Sequence, residues 1–211
     1  DVYKRQQHKD KSMSSNIFDD LNIRQPDIYL DTPTTNINKQ TTYIVDKLDT
    51  LFDTNKAKYV GVFGDVTSTL AAAISTKNKK MKLFHVEAGL RSRNMEMPEE
   101  RNRIMVDSIS DYLFAPSDDA VDNLKSENLS AKYIENVGNI MIDTLQKNLT
   151  RILQSSDQIK DKLNIKDKYF VVTIPRPSNL TDENLEKIFL GLKEFTNEYQ
   201  IILPAHPRLK K

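Results

Sequence analysis

Glu87 and Glu99 stand at either side of one connecting stretch, His85 to Arg103 (HVEAGLRSRNMEMPEERNR), and another acid, Asp65, closes an earlier apolar run. Carboxylates grouped in this way suit general acid–base chemistry. Such chemistry needs carboxyl groups whose pKa values are tuned toward the working pH. The same stretch carries Arg91, Arg101 and Arg103, guanidinium groups that can meet phosphate through paired hydrogen bonds. Each residue also has a plain structural use. Asp65 can cap the helix that follows it. Glu87 and Arg91, four residues apart, can form a surface ion pair worth at most about 1 kcal/mol. Glu99 and Glu100 can steady a helix dipole by about 0.3–1 kcal/mol. His85, inside a strand pattern, reads as a satisfied, partly buried histidine. The catalytic reading gains from convergence, because the acids arrive at one sheet edge from adjacent units.

The elements that position them follow from periodicity. The pattern predicts a helix over 13–21 and a short strand over 27–30. Ile37, Thr41, Ile44, Leu48 and Leu51 recur at steps of four and three, one face of an amphipathic helix. Tyr59 to Phe63 (YVGVF) is a buried-type strand, and Thr67 or Ser68 caps an alanine-rich helix through Ile74. Lys82 to Val86 is the next strand. Pro98 then opens a helix to about Ser110, with acids in its first turn. Tyr112 to Ala115 is a strand, Ser117-Asp118-Asp119 an N-cap, and Tyr133 to Val137 a strand stopped by Gly138-Asn139. Ile142, Leu145, Leu149 and Ile152 mark a long helix. The polar run 154–168 reads as a linker, after which a strand (169–174), a helix (184–199) and a strand (200–203) restart the pattern. Strands alternating with helices predict an α/β fold whose parallel sheet is covered on both faces. Ligands bind at the carboxyl edge of such sheets.

Composition narrows the classes. Lys and Arg total 31 against 30 Asp and Glu, a net charge of +1, so no bulk field recruits nucleic acid or an acidic membrane. No apolar run approaches the roughly 18 residues of a membrane span. The absence of cysteine removes disulfides and thiolate metal sites and fits a reducing compartment. His8, His85 and His206 lie too far apart for a local metal pair. Five glycines assemble no G-x-G-x-x-G turn, which argues against a dinucleotide site. Residues 1–6 (DVYKRQ) read as a non-native scar, and the chain stops just after a strand, so it reads as a fragment.

These residues together resemble a known family. Gly64-Asp65, His85-Val86-Glu87-Ala88-Gly89-Leu90-Arg91, Met97-Pro98-Glu99-Glu100 with Asn102-Arg103, and Gly138-Asn139 with Asp143 are similar, in order and spacing, to the UDP-N-acetylglucosamine 2-epimerases. Gln7-His8, Arg176-Pro177-Ser178-Asn179 and His206-Pro207-Arg208 resemble further landmarks of that family. The resemblance implies two Rossmann-like domains of glycosyltransferase-B type with the active site in the cleft between them. Residues 7–153 would be the first domain without its first strand, 154–168 the linker, and 169–211 the truncated start of the second. It implies interconversion of UDP-N-acetylglucosamine and UDP-N-acetylmannosamine in a cytoplasmic homodimer that supplies surface polysaccharide. The resemblance further implies that UDP is eliminated across C1–C2 to leave 2-acetamidoglucal and is then re-added. On that resemblance Asp65, Glu87 and Glu99 would take the catalytic roles and Arg91, Arg176 and His206 would bind substrate, with no metal and no cofactor.

The chain departs from the family pattern. The early Gly-Thr-Arg-Pro-Glu loop is absent, the second domain breaks off early, and Pro175 stands where the family has a histidine. The rival readings are a hydrolysing epimerase that releases N-acetylmannosamine and a non-catalytic nucleotide-sugar-binding paralogue. Pro175 is the main sign of the paralogue.

Overall fold

The computed structural model describes residues 15–33, 36–55, 57–129, 133–176, 179–204 and 209. Its elements run α1 (Ser15–Asp20), α2 (Ile37–Thr54), β1 (Tyr59–Phe63), α3 (Thr67–Asn78), β2 (Lys82–Val86), α4 (Pro98–Ile109) and β3 (Tyr112–Ala115). There follow α5 (Asp118–Ser126), β4 (Tyr133–Asn136), α6 (Ile140–Lys162), β5 (Tyr169–Val171), α7 (Asp182–Lys193) and β6 (Gln200–Ile202). The chain divides into two compact units, 1–146 and 147–211. The proposed scar at 1–6 and the Gln7-His8 pair lie outside the described residues.

In the first unit β1, β2, β3 and β4 form one parallel sheet in sequence order. Val62 sits beside His85, and His85 beside Leu113, so the register carries one buried row across the strands. That row meets helices. Val62 and Leu83 pack with Ala73 of α3 and Val106 of α4, while Leu113 and Ala115 pack with Ala120 and Leu124 of α5. Helix α2 lies on α3 through Ile44, Leu48 and Ala71. Burying a leucine or valine side chain contributes about 1.5–3 kcal/mol, so these clusters hold the sheet edge in place.

The opposite face of the sheet differs from expectation. It carries Phe63 together with Tyr59, Phe84, Tyr112, Phe114 and Tyr133, and neighbouring rings among the last five lie about 6 Å apart. Tyr59 is 49% and Phe63 59% exposed, so α3, α4 and α5 cover one face rather than both. Side chains alternate faces along a strand, and parallel strands are apolar on each. The sequence pattern therefore registers apolarity on both faces without showing what covers each.

Several element readings also change. Residues 27–30 form no strand; a segment this short becomes one only beside a partner, and none pairs with it among the described residues. Helix α3 starts after Val66, which makes no side-chain cap. Instead the Thr69 hydroxyl donates to the Phe63 carbonyl at 2.7 Å. Helix α6 continues through Lys162, so much of the polar run read as a linker is helical.

In the second unit β5 and β6 pair in parallel, with Phe170 stacked on Tyr199 at 4.6 Å and edge-on to Phe195 at 5.8 Å. Helix α7 is capped by the Thr181 hydroxyl, which accepts from the Asn184 amide. Ile174 is its one buried hydrophobic residue among those described.

Candidate active site

Parallel strands place all their carboxyl ends along one edge, and there Asp65 follows β1 and Glu87 follows β2. Both turns need unusual backbone: Gly64 has φ +64° and Glu87, which is not a glycine, φ +72°. A left-handed residue other than glycine persists only where its surroundings hold it. Glu87 is held by amide bonds of its own and of Ala88 to the Phe114 carbonyl, both 3.1 Å.

The two carboxylates meet at one cation. Arg103 Nη2 on α4 lies 2.7 Å from Asp65 Oδ2 and 3.5 Å from Glu87 Oε1. The arginine side chain is 10% exposed, whereas Asp65 is 24% and Glu87 46% exposed, so solvent and ligand reach the acids while the cation stays inside. Arg103 Nε is buried and has no hydrogen-bond partner among the described residues. Asn102, beside it, donates from Nδ2 to the Asp65 backbone carbonyl at 2.8 Å. Residues three and four apart share a helix face, so Glu99 stands one turn before Asn102 and Arg103 on the face they turn toward Asp65. Glu99 is exposed and pairs with none of the described residues.

Glu100 serves another purpose. It is buried, and its carboxylate accepts from the Ser92 amide (2.8 Å), the Ser92 hydroxyl (3.1 Å) and the Arg93 amide (2.9 Å). Burial pushes its carboxyl up, but the Ser92 and Arg93 bonds outweigh burial and hold it below the ordinary glutamate value.

Behind the acids runs a largely buried chain of contacts. His85 Nδ1 lies 2.6 Å from Asp107 Oδ1, and His85 Nε2 lies 2.9 Å from the Gly64 carbonyl. Asp107 Oδ2 also accepts from the Gly89 amide at 3.1 Å and Arg91 Nη1 at 2.8 Å. Arg91 in turn meets Glu127 through two bonds of 2.7 Å. Burial pushes the Arg91 guanidinium down, and Glu127 with Asp107 more than offsets that, leaving it raised.

Several expectations change here. Asp65 does not cap α3; its carboxylate is with Arg103. Glu87 and Arg91 do not pair, because they flank a turn and four-residue spacing makes neighbours only in a helix. Arg91, expected at the substrate, has its guanidinium taken up by Asp107 and Glu127, with a side chain 5% exposed. Arg101 donates to the Met95 carbonyl at 2.6 Å. His85 is fully buried rather than partly. Arg176 and Pro175 are exposed in the second unit, and His206 lies outside the described residues. Sequence reading missed Asp107 and Glu127. The available signal for Asp107 was an acid inside Ile104–Ile109, an otherwise largely apolar helical run.

A shallow hollow of about 320 Å³ is lined from α4 by Glu100 and Ile104 and includes none of the three acids Asp65, Glu87 and Glu99. No group of three or more His, Asp or Glu among the described residues is arranged to hold a metal ion. No helix among them is long and apolar enough to cross a membrane.

The fold is that of an α/β protein with acids gathered at the carboxyl edge of a parallel sheet, and comparison with known proteins makes the class definite. Residues 2–211 match the family model of UDP-N-acetylglucosamine 2-epimerase, and the chain belongs to that family. It is 41% identical over 208 residues to a UDP-N-acetylglucosamine 2-epimerase homolog of Methanococcus maripaludis, covering 97% of this chain and 57% of the relative. It is 36% identical over 208 residues to the UDP-2,3-diacetamido-2,3-dideoxy-D-glucuronate 2-epimerase of Pseudomonas aeruginosa, with the same coverage. The crystal structure of the Methanocaldococcus jannaschii UDP-GlcNAc 2-epimerase, in complex with UDP-GlcNAc and UDP, superimposes with a TM-score of 0.86 at 33% identity. That match covers 96% of this chain and 57% of the other. The chain thus spans little more than half the length of the relatives it matches, and its architecture is that of the glycosyltransferase-B-type epimerases.

Proposed function

We propose that this protein inverts C2 of UDP-N-acetylglucosamine to give UDP-N-acetylmannosamine. The observation that carries the reading is the meeting of Asp65 and Glu87 at Arg103, with Glu99 one turn earlier on the same helix face. The C2 hydrogen is weakly acidic, so one carboxylate removes it as the C1–O bond to UDP breaks and its electron pair leaves with the diphosphate. The product is 2-acetamidoglucal, with a C1–C2 double bond. A phosphate oxygen of UDP then re-attacks C1 while an acid on the opposite face delivers a proton to C2. Asp65, Glu87 and Glu99 share these proton transfers, which contribute about 10²–10⁴-fold per positioned group. Arg176 and His206 are assigned to the nucleotide. Arg91 is assigned to the framework, because Asp107 and Glu127 already hold its guanidinium. The working form is a cytoplasmic homodimer, and its product feeds surface polysaccharide.

The test is incubation of the full-length protein with UDP-N-acetylglucosamine in heavy water. UDP-N-acetylmannosamine carrying deuterium at C2 is the expected product. Free N-acetylmannosamine with UDP would instead mark a hydrolysing enzyme, and no exchange at C2 would sink the reading. The Pseudomonas aeruginosa relative, about as similar as the others, favours one alternative substrate, UDP-2,3-diacetamido-2,3-dideoxy-D-glucuronate. Turnover of that sugar nucleotide alone would move the substrate and leave the C2 chemistry in place.

A further inference from the structure

His85 has an acceptor on each ring nitrogen: the Asp107 carboxylate at 2.6 Å from Nδ1 and the Gly64 carbonyl at 2.9 Å from Nε2. The ring is 0% exposed. A neutral imidazole has one N–H and one lone pair. In that form one of these contacts would set a lone pair against an oxygen, with no water to relieve it. Both contacts are satisfied when both nitrogens donate. The charged groups around the ring agree with a cation there. Asp107 on α4 faces Nδ1, Arg91 from the loop after β2 faces Asp107, and Glu127 after α5 faces Arg91. Glu127 lies exposed at the end of this chain of contacts, and the two oxygen acceptors on the buried ring call for two N–H donors. Beyond the Gly64 carbonyl lie Asp65, Glu87 and Arg103.

The two ends of this chain of contacts are the two turns that carry the acids. The Gly64 carbonyl belongs to the residue just before Asp65. His85 itself stands two residues before Glu87, and Asp107 holds the Gly89 amide two residues after it. Both turns sit at positive φ; glycine adopts it freely at Gly64, whereas Glu87 keeps it only because its surroundings hold it. We propose that His85, protonated on both nitrogens between Asp107 and the Gly64 carbonyl, is the positioning residue that sets Asp65 against Glu87. The proposal rests on the epimerase reading for its kinetic consequence, though not for its structural one.

Two measurements test it. Nitrogen-15 NMR of the histidine rings should show His85 with hydrogens on both Nδ1 and Nε2; an Nδ1 without hydrogen overturns the proposal. Asparagine and glutamine then separate the two contacts, since an asparagine amide replaces Nδ1 and a glutamine amide replaces Nε2. In the full-length protein His85→Asn keeps the Asp107 contact and loses Gly64. Its kcat should fall about 10²-fold, the scale of a misplacement of about 1 Å, with KM within about threefold. His85→Gln keeps a donor for Gly64 and should recover roughly tenfold of that loss, the worth of one neutral hydrogen bond. Equal losses in the two variants, tracking only the fraction folded, would overturn the positioning role. If the parent protein shows no turnover, the epimerase reading falls while His85 is still decided. The Gly64 and Asp65 amide shifts should then move in His85→Asn and stay near the parent in His85→Gln; movement in both or in neither counts against the proposal.

Discussion

Arg103 of α4 pairs with Asp65 at the end of β1, Nη2 to Oδ2 at 2.7 Å, and the same nitrogen reaches toward Glu87 at the end of β2. One buried cation therefore fixes the spacing of two acids from different strands and offsets their mutual repulsion. Arg103→Met removes that cation while keeping most of the side chain's volume. We expect kcat for C2 inversion to fall about 10²–10³-fold, the scale of losing one preorganised electrostatic group, with the far-ultraviolet circular dichroism unchanged. Parent-like turnover in Arg103→Met would remove the pair from the site.

Gly89 predicts a structural defect rather than a catalytic one. It has φ +81°, and a Cβ there would lie 2.3 Å from the Ala120 carbonyl oxygen and 2.8 Å from Leu124. A left-handed conformation costs an L-residue about 1–2 kcal/mol, and overpacking adds about 1–3 kcal/mol. Gly89→Ala should therefore lose about 2–5 kcal/mol in urea unfolding. Gly138→Ala makes the contrast: φ is +79° there, but nothing lies within 4 Å of the added carbon. Its cost should be confined to the conformational part.

Much of the first unit is legible in its sequence because short apolar runs such as YVGVF and KLFHV alternate with helical patterns, and each run finds a parallel neighbour. What fails are inferences that needed knowledge of partners. Residues 27–30 are apolar enough for a strand but pair with no strand among the described residues. Glu87 and Arg91 have ion-pair spacing, yet a turn separates them, so each pairs with a residue remote in sequence: Arg103 for one, Glu127 for the other. Asp107 reads locally as the polar side of an amphipathic helix. Only the fold shows that it is fully buried against His85 and receives bonds from Gly89 and Arg91. The acids Asp65, Glu87 and Glu99 could be picked out, and so could Arg91, Arg103 and His85, but not the partners each of these three takes.

Asp111 ties the far edge of the sheet together and gives a pH prediction. Burial pushes its carboxyl up, but bonds from Lys77 (2.7 Å), the Leu83 amide (3.0 Å) and Lys82 (3.1 Å) outweigh that and hold it well below the usual carboxylate range. A depressed folded pKa contributes stability that is present above the unfolded value, about 3.9, and is lost as pH falls toward the folded one. Asp111→Asn should cost about 1.5–3 kcal/mol near neutrality, the worth of hydrogen bonds to a charged group. In urea titrations the gap between parent and variant should narrow as pH drops below about 4. A gap that stays constant into acid would show that the carboxylate's charge is not what matters.

The adjacent acids Glu99 and Glu100 should behave oppositely when changed. One helical residue turns direction by about 100°, so the pair cannot share a partner. Glu100 is 2% exposed and closes the Ser92–Arg93 turn with three bonds, whereas Glu99 is exposed on the face of Asn102 and Arg103. Glu100→Ala leaves those amides unsatisfied and should cost about 1–3 kcal/mol in unfolding free energy, with activity falling only as far as the loop loosens. Glu99→Gln changes an exposed group and should leave stability within about 0.5 kcal/mol. It should still lower kcat about 10²–10⁴-fold by removing an acid–base group. Unfolding curves and steady-state kinetics on both variants decide the matter. Full activity in Glu99→Gln would strike that residue from the proton transfers and leave Asp65 and Glu87 to account for both faces of C2.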